Sequence, residues 1–215
     1  MKGVGKAKQR CLICGSSLTL CMCAELPRLE LRTKIALVIH RHEVLRSSNT
    51  GMLAVRALTN SELRIRGETR RTLDLSDLLS PDYRSLLYFP SAEAVELTPE
   101  LVAEDARPIQ LIVPDGTWRQ ARKIHSRQHE LRQVPRVKIS TPNVATFQLR
   151  AQSRPEGMAT LLAIASALGV IEGEAVAMQL LRLYQARVAR TLGARGLLPK
   201  NSEWSAVSAA SSKIS

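Results

Sequence analysis

Residues Ile109-Gln-Leu-Ile-Val-Pro-Asp-Gly-Thr-Trp118 form an apolar run of strand length that delivers an acid, a glycine, a hydroxyl and an indole into a turn opening a basic helix. The run is expected to end at Pro114 and Gly116 to relax the backbone, which places Asp115 at the carboxyl end of a buried parallel strand. Ligands of open α/β sheets collect at that edge. The helical segment that follows, 117–131, carries Arg119, Arg122, Lys123 and Arg127 together with His125 and His129, with only Glu130 opposing them. Both histidines are expected to contact phosphate at the surface. An acid beside a helix suited to polyanions points to chemistry on nucleic acid. Two plainer readings stand beside this one: Asp115 as a helix N-cap, and Trp118 as a core residue.

The rest of the chain agrees with a basic, folded protein. Its 215 residues bound one domain with a small extension, and 45% hydrophobic against 23% charged residues exclude general disorder. A net charge of +12 favours phosphate-rich partners. That charge is polarised: residues 85–106 hold Glu93, Glu96, Glu100, Glu104 and Asp105 with no Lys or Arg, whereas 117–138 hold seven basic side chains. Lys2, Lys6, Lys8 and Arg10 at one end, and Arg182, Arg187, Arg190 and Arg195 at the other, are expected to add phosphate contacts. The longest apolar stretch, 158–171, falls short of the roughly 20 residues that span a bilayer. No apolar core of a secretory signal follows the basic N-terminus. A cytoplasmic protein is expected, with no membrane partner and as a monomer.

Strands are expected at 33–39, 85–89, 109–113 and 136–140. Helices are expected at 50–60, from Thr98, over 117–131, at 158–168 stopped by Gly169, and at 174–192 stopped by Gly193; a short segment spans 146–150. Strands alternating with helices give an α/β fold, a mainly parallel sheet with helices on both faces. The chain divides into a basic arm and cysteine knuckle (1–26), a main domain (27–200) and a tail (201–215).

All four cysteines fall in Cys11-x2-Cys14-x6-Cys21-x-Cys23, a spacing that suits four thiolates around a structural Zn2+ ion with no open position for catalysis. A redox dithiol or simply buried thiols are the other readings. The loop after the first strand, His40-Arg-His-Glu43 and then Asn49-Thr50-Gly51, sits at the same sheet edge as Asp115 and offers hydrogen-bonding groups to a charged small ligand. An ordinary turn and helix cap would use the same Asn-Thr-Gly.

These pieces together resemble the DTW-domain family. They are Asp115-Gly-Thr-Trp-Arg-Gln-Ala-Arg-Lys123, the His40-x2-Glu43 loop with Asn49-Thr50-Gly51, the four-cysteine knuckle, and Phe147-Gln-Leu-Arg150, over about residues 11 to 185. The resemblance implies a SPOUT-like fold with a C-terminal trefoil knot, and a tRNA-uridine aminocarboxypropyltransferase. Such an enzyme moves the 3-amino-3-carboxypropyl group of S-adenosylmethionine to N3 of a tRNA uridine, in the variable loop, and releases 5′-methylthioadenosine. On that reading Asp115, Thr117 and Trp118 are catalytic, and His40, Glu43, Asn49, Thr50, Gly51 and Gly116 hold the co-substrate. Arg119, Arg122, Lys123, Arg127 and Arg150 then bind RNA. The family commonly has a glutamate where this chain has Leu162. A non-catalytic zinc-knuckle RNA-binding protein and the same transfer onto ribosomal RNA are the competing readings.

Overall fold

The computed structural model describes residues 9–68, 73–140 and 157–197. Two strands, β1 (Lys34–His40) and β5 (Ile109–Asp115), lie side by side at the centre. Their apolar runs lack the alternation of a half-exposed strand because both faces are covered. Around them the order is β2 (Ser61–Arg66), β1, β5, β3 (Arg84–Tyr88), β6 (Arg136–Lys138) and β4 (Val95–Glu96), and every pairing is parallel. All six strands therefore end at one edge.

Period-two alternation sorts the side chains onto two cores. Ile35, Leu37, Leu86, Leu111 and Val113 face α2 (Gly51–Ala57), α5 (Thr160–Ile171) and α6 (Glu174–Gly193). Ala36, Val38, Leu87 and Ile112 face α4 (Trp118–Arg127), through its Ala121 and Ile124, and the turn that ends in Leu131. Helices α1 (Arg41–Val44) and α3 (Pro99–Ala103) are single turns. The Thr98 hydroxyl caps α3, accepting from the Leu101 amide at 3.3 Å.

Several elements differ from the sequence reading. Strand β5 does not stop at Pro114 but runs on to Asp115 against β1, beyond Ile112 where β3 pairing ends. A proline removes a ladder N–H, and it is borne here where one flank of the strand is already unpaired by β3. Strand β2 was not foreseen, since Ser-Glu-Leu-Arg-Ile-Arg carries charges on an edge strand. Two of its charges pair instead: Glu62 with Lys34 at 2.6 Å and Arg64 with Asp77 at 2.5 Å. Helix α4 ends at Arg127, with a separate 3-10 turn at His129–Leu131. The segment 146–150 and Arg150 lie outside the described residues. So does the path from β6 to α5, and the trefoil knot is not traced on the described residues.

Gly169 does not stop α5, which continues to Ile171. The glycine is there for proximity, since a Cβ at 169 would stand 3.1 Å from the Cβ of Ala177 on α6. Gly169→Leu is expected to force the two helices apart at a loss of about 1–3 kcal/mol, read as a melting temperature lower by roughly 2–12 °C.

Candidate functional site

Asp115 is the last residue of β5 and is only 5% exposed. A carboxylate buried that far needs hydrogen bonds to replace water. Asn49 Nδ2 donates to its Oδ2 and the Thr160 hydroxyl donates to its Oδ1, each at 2.6 Å. Asn49 also caps α2, its Oδ1 accepting from the Met52 amide at 3.0 Å. Thr50 is buried, and its hydroxyl oxygen accepts from the Leu161 amide at 3.2 Å, a second tie between the starts of α2 and α5. Gly51 makes room for this arrangement: a Cβ there would lie 3.0 Å from Asp115 Oδ2, 3.1 Å from Leu37 and 3.2 Å from Thr160.

The turn after Asp115 is shaped by a capping box. Thr117 caps α4, its hydroxyl oxygen accepting from the Gln120 amide at 3.3 Å, while Gln120 Oε1 accepts from the Thr117 amide at 2.8 Å. Gly116 has φ +154°, and a Cβ there would stand 2.9 Å from Gln120 Cβ, so both the backbone and the space favour glycine. Gln120 Nε2 lies 3.3 Å from His40 Nδ1, joining this turn to the end of β1. His40 Nδ1 also accepts the His42 amide at 3.3 Å as the cap of α1. Two donors on Nδ1 leave the ring proton on Nε2. Burial, followed by the charges of His42 and Arg66, holds His40 below the ordinary histidine value. Glu43 is 1% exposed and lies 3.4 Å from Arg46.

Trp118 is half-buried, edge-on to Phe89 at 5.7 Å between ring centres, and packs on the second core. His125 is not a surface phosphate contact. Its ring lies 4.6 Å from that of Phe89, and both ring nitrogens are enclosed without a hydrogen-bond partner among the described residues. Burial, then the Arg136 charge, pushes it below the usual value. His129 is exposed beside Glu130 at 3.4 Å.

Arg119, Arg122 and Arg127 are exposed on the outer face of α4 with Lys123 half-buried among them. Arg66, at the end of β2, joins them. The Lys123 ammonium is held below its usual value by Arg119 first, then Arg127, with Arg66 also contributing; burial and then Arg127 do the same to Arg66. Among the described residues, none of these five cations forms an ion pair with a carboxylate. The sequence reading missed Arg66, Thr160 and Gln120. Gln120 was legible as the third residue of the Thr117 capping box, whereas Thr160 and Arg66 become site residues only through long-range packing. Leu162, where an acid was expected, is 4% exposed within the main core.

The knuckle sulfurs of Cys11, Cys14, Cys21 and Cys23 all lie within 4.8 Å of one another, with Cys11 to Cys23 at 3.4 Å and Cys14 to Cys21 at 3.8 Å. Four thiolates at about 2.3 Å from a tetrahedral zinc ion stand about 3.8 Å apart, so the donor set fits. The Met22 amide donates to Cys14 Sγ at 3.3 Å. Burial opposes ionisation of Cys14, but amides of Met22 and Ser16 bring its thiol down to about 6. Arg187 and Arg190 of α6, expected to meet phosphate, turn inward onto this knuckle instead: Arg187 reaches Ser16 and Leu20, and Arg190 reaches the Cys21 carbonyl and Glu25.

A parallel sheet with an anchored carboxylate at its carboxyl edge, a cationic helix beside it and a four-cysteine knuckle define an α/β domain of one recognisable class. The chain belongs to the DTW-domain family, whose model matches residues 8–192. It is similar to proteins named tRNA-uridine aminocarboxypropyltransferase 2. The Drosophila melanogaster protein is 27% identical over 172 residues, 77% of this chain and 67% of that one. The Macaca fascicularis protein is 26% identical over 172 residues, 78% of this chain and 58% of the relative. The Mus musculus protein is 26% identical over 171 residues, 77% of this chain and 57% of the relative. The chain thus spans between 57% and 67% of the lengths of these relatives. A solved structure, the SAM-dependent rRNA:acp-transferase Tsr3 from Vulcanisaeta distributa, is similar at 20% identity with a TM-score of 0.48, over 71% of this chain and 74% of that one.

Two outcomes follow from this geometry. Gly51→Ala is expected to destabilise by about 1–3 kcal/mol in denaturant unfolding, and the loss should shrink in an Asp115→Ala background because the two sites touch. Strict additivity would place them out of contact. His40 and His125 have depressed values in the fold, so neutral rings favour the folded state. Their contribution is full above the ordinary value of 6.5 and is lost as pH falls below it. The melting temperature should therefore fall on acidification from pH 7 to 5, less steeply in His125→Phe; equal slopes would refute this.

Proposed function

We propose that this chain is a tRNA-uridine aminocarboxypropyltransferase that uses S-adenosylmethionine and works in the cytoplasm. The observation that carries the reading is the Asp115 carboxylate, held on both oxygens by Asn49 and Thr160 at the carboxyl edge of the sheet, beside a face of cations that no carboxylate of the described residues neutralises. Membership of the DTW-domain family and the names of the relatives support the substrate class. The four cysteine sulfurs, all within 4.8 Å of one another, suit a structural zinc ion. No helix among the described residues is long and apolar enough to cross a membrane.

The chemistry is a nucleophilic displacement. Uridine N3 attacks the methylene carbon next to the sulfonium; the new N–C bond forms as the C–S bond breaks. The electron pair passes to sulfur and leaves 5′-methylthioadenosine as a neutral thioether. The N3 proton goes to Asp115, which the hydrogen bonds from Asn49 and Thr160 orient as an acceptor. Asn49 and Thr160 are thus positioning residues for Asp115. The backbone at Gly116, together with the His40 and Glu43 loop, forms the wall for the co-substrate, and Trp118 fixes the turn from the side of Phe89. Choosing the aminocarboxypropyl carbon over the methyl is a matter of orientation in that wall. Arg66, Arg119, Arg122, Lys123 and Arg127 take RNA phosphates, and the uridine must be splayed out of the tRNA fold to reach the edge.

Incubation with S-adenosylmethionine and tRNA is expected to give methylthioadenosine and an aminocarboxypropyl-uridine of the variable loop by mass spectrometry. Asp115→Ala should lower that yield by about 10³-fold while calorimetry still detects the co-substrate. S-adenosylhomocysteine with a methylated base would assign a methyltransferase instead, and activity on ribosomal RNA fragments but not tRNA would overturn the substrate.

A further inference from the structure

Arg187 is an arginine where helix α6 should carry an apolar residue. It is 3% exposed, and among the described residues no carboxylate pairs with it. Its guanidinium instead spans two segments. Nη1 donates to the Ser16 hydroxyl oxygen at 3.2 Å and to the Leu20 carbonyl at 3.4 Å, both within the cysteine knuckle. Nη2 donates to the Ser47 carbonyl in the loop 45–50 between α1 and α2. That carbonyl belongs to the turn closed by the Asn49 amide on the Arg46 carbonyl at 3.0 Å, and Asn49 is the residue that grips Asp115. Arg10 repeats the bridge from the exposed side, donating to Gly15 in the knuckle at 2.9 Å and to Leu45 in the same loop.

Two arginines joining the same two segments are more than knuckle packing requires. A buried cation also needs a negative charge nearby. Burial works against the charge on Arg187, whose nitrogens reach the knuckle through Ser16 and Leu20. A divalent ion on four thiolates leaves about two net negative charges at that place, so a loaded knuckle is the counter-charge the guanidinium requires.

We propose that Arg187 is a positioning residue for the reacting site: held by the metal-loaded knuckle, it fixes loop 45–50 so that Asn49 presents Asp115 in its working orientation. The proposal rests on the transferase reading above for its kinetic consequence, but its structural half does not. The knuckle is then part of the catalytic scaffold, although no metal touches substrate.

The test compares full-length zinc-loaded protein with Arg187→Met and Arg187→Lys, metal content being measured in each. Hydrogen exchange at residues 46–52 should accelerate by about tenfold in Arg187→Met while β1 and β5 stay protected. Its kcat for methylthioadenosine release should fall on the order of 100-fold with KM for tRNA little changed. Arg187→Lys, which keeps the charge but cannot bridge all three acceptors, should lie between. Should Arg187→Met not fold, Arg187→Lys and Arg10→Ala carry the same comparison. Wild-type exchange at 46–52 in a folded Arg187 variant overturns the proposal, as does loosened exchange with unaltered kcat. Wild-type protein that releases no methylthioadenosine overturns the transferase reading alone, because the exchange comparison still decides whether Arg187 holds the loop.

Discussion

A carboxylate buried at the end of a central strand is the constraint on which this site depends. Left without donors, such a group costs several kcal/mol and forces the strand end open or the acid neutral. Here the donors come from places 66 and 45 residues away in sequence, Asn49 at the start of α2 and Thr160 at the start of α5. Satisfying one side chain therefore fixes three chain segments at once. The glycine at 51 follows from the same demand, since a Cβ there would press to 3.0 Å against the carboxylate.

The parallel sheet makes this arrangement possible. With all strands pointing one way, the loop after β1 and the turn after β5 meet at one edge, and Gln120 ties them through His40 and Thr117. The competing role for Asp115 was that of helix cap. Thr117 takes that role two residues later, with a full capping box. The hydroxyl of the Asp-Gly-Thr-Trp signature caps the helix, and the indole braces the turn against Phe89.

Much of the fold was legible because its signals are local. The apolar runs of β1 and β5, the capped turn and the cysteine spacing are properties of short segments, and short segments state them openly. The failures share a physical cause as well. Strand β2 hides behind charges that only an edge strand tolerates, and two of those, Glu62 and Arg64, are neutralised by partners from elsewhere in the chain. Gly169 reads as a helix stop until a second helix is seen against it. His125 looks like a basic-face residue, but helical rotation turns it toward Phe89. Arg187 and Arg190 look like a phosphate-binding stripe, yet each faces a knuckle more than 150 residues away in sequence. Thr160 gave no signal at all, because its importance lies wholly in the residue it touches.

The charge asymmetry also takes its meaning from the sheet order. The acidic segment lies along β4 and Arg66 ends β2, with five strand spacings between these two edges. At about 4.8 Å per spacing this is roughly 24 Å, some three Debye lengths at physiological salt. The acids of β4 consequently cannot cancel Arg66 across the sheet. Glu93 and Glu104 are moreover occupied locally, by Arg136 at 3.2 Å and Arg84 at 2.9 Å. The positive field that remains is concentrated around Arg66, Arg119, Lys123 and Arg127, on the side of the sheet edge where β1, β2 and β5 end. The strand order that buries the carboxylate at the end of β5 also puts these cations next to it.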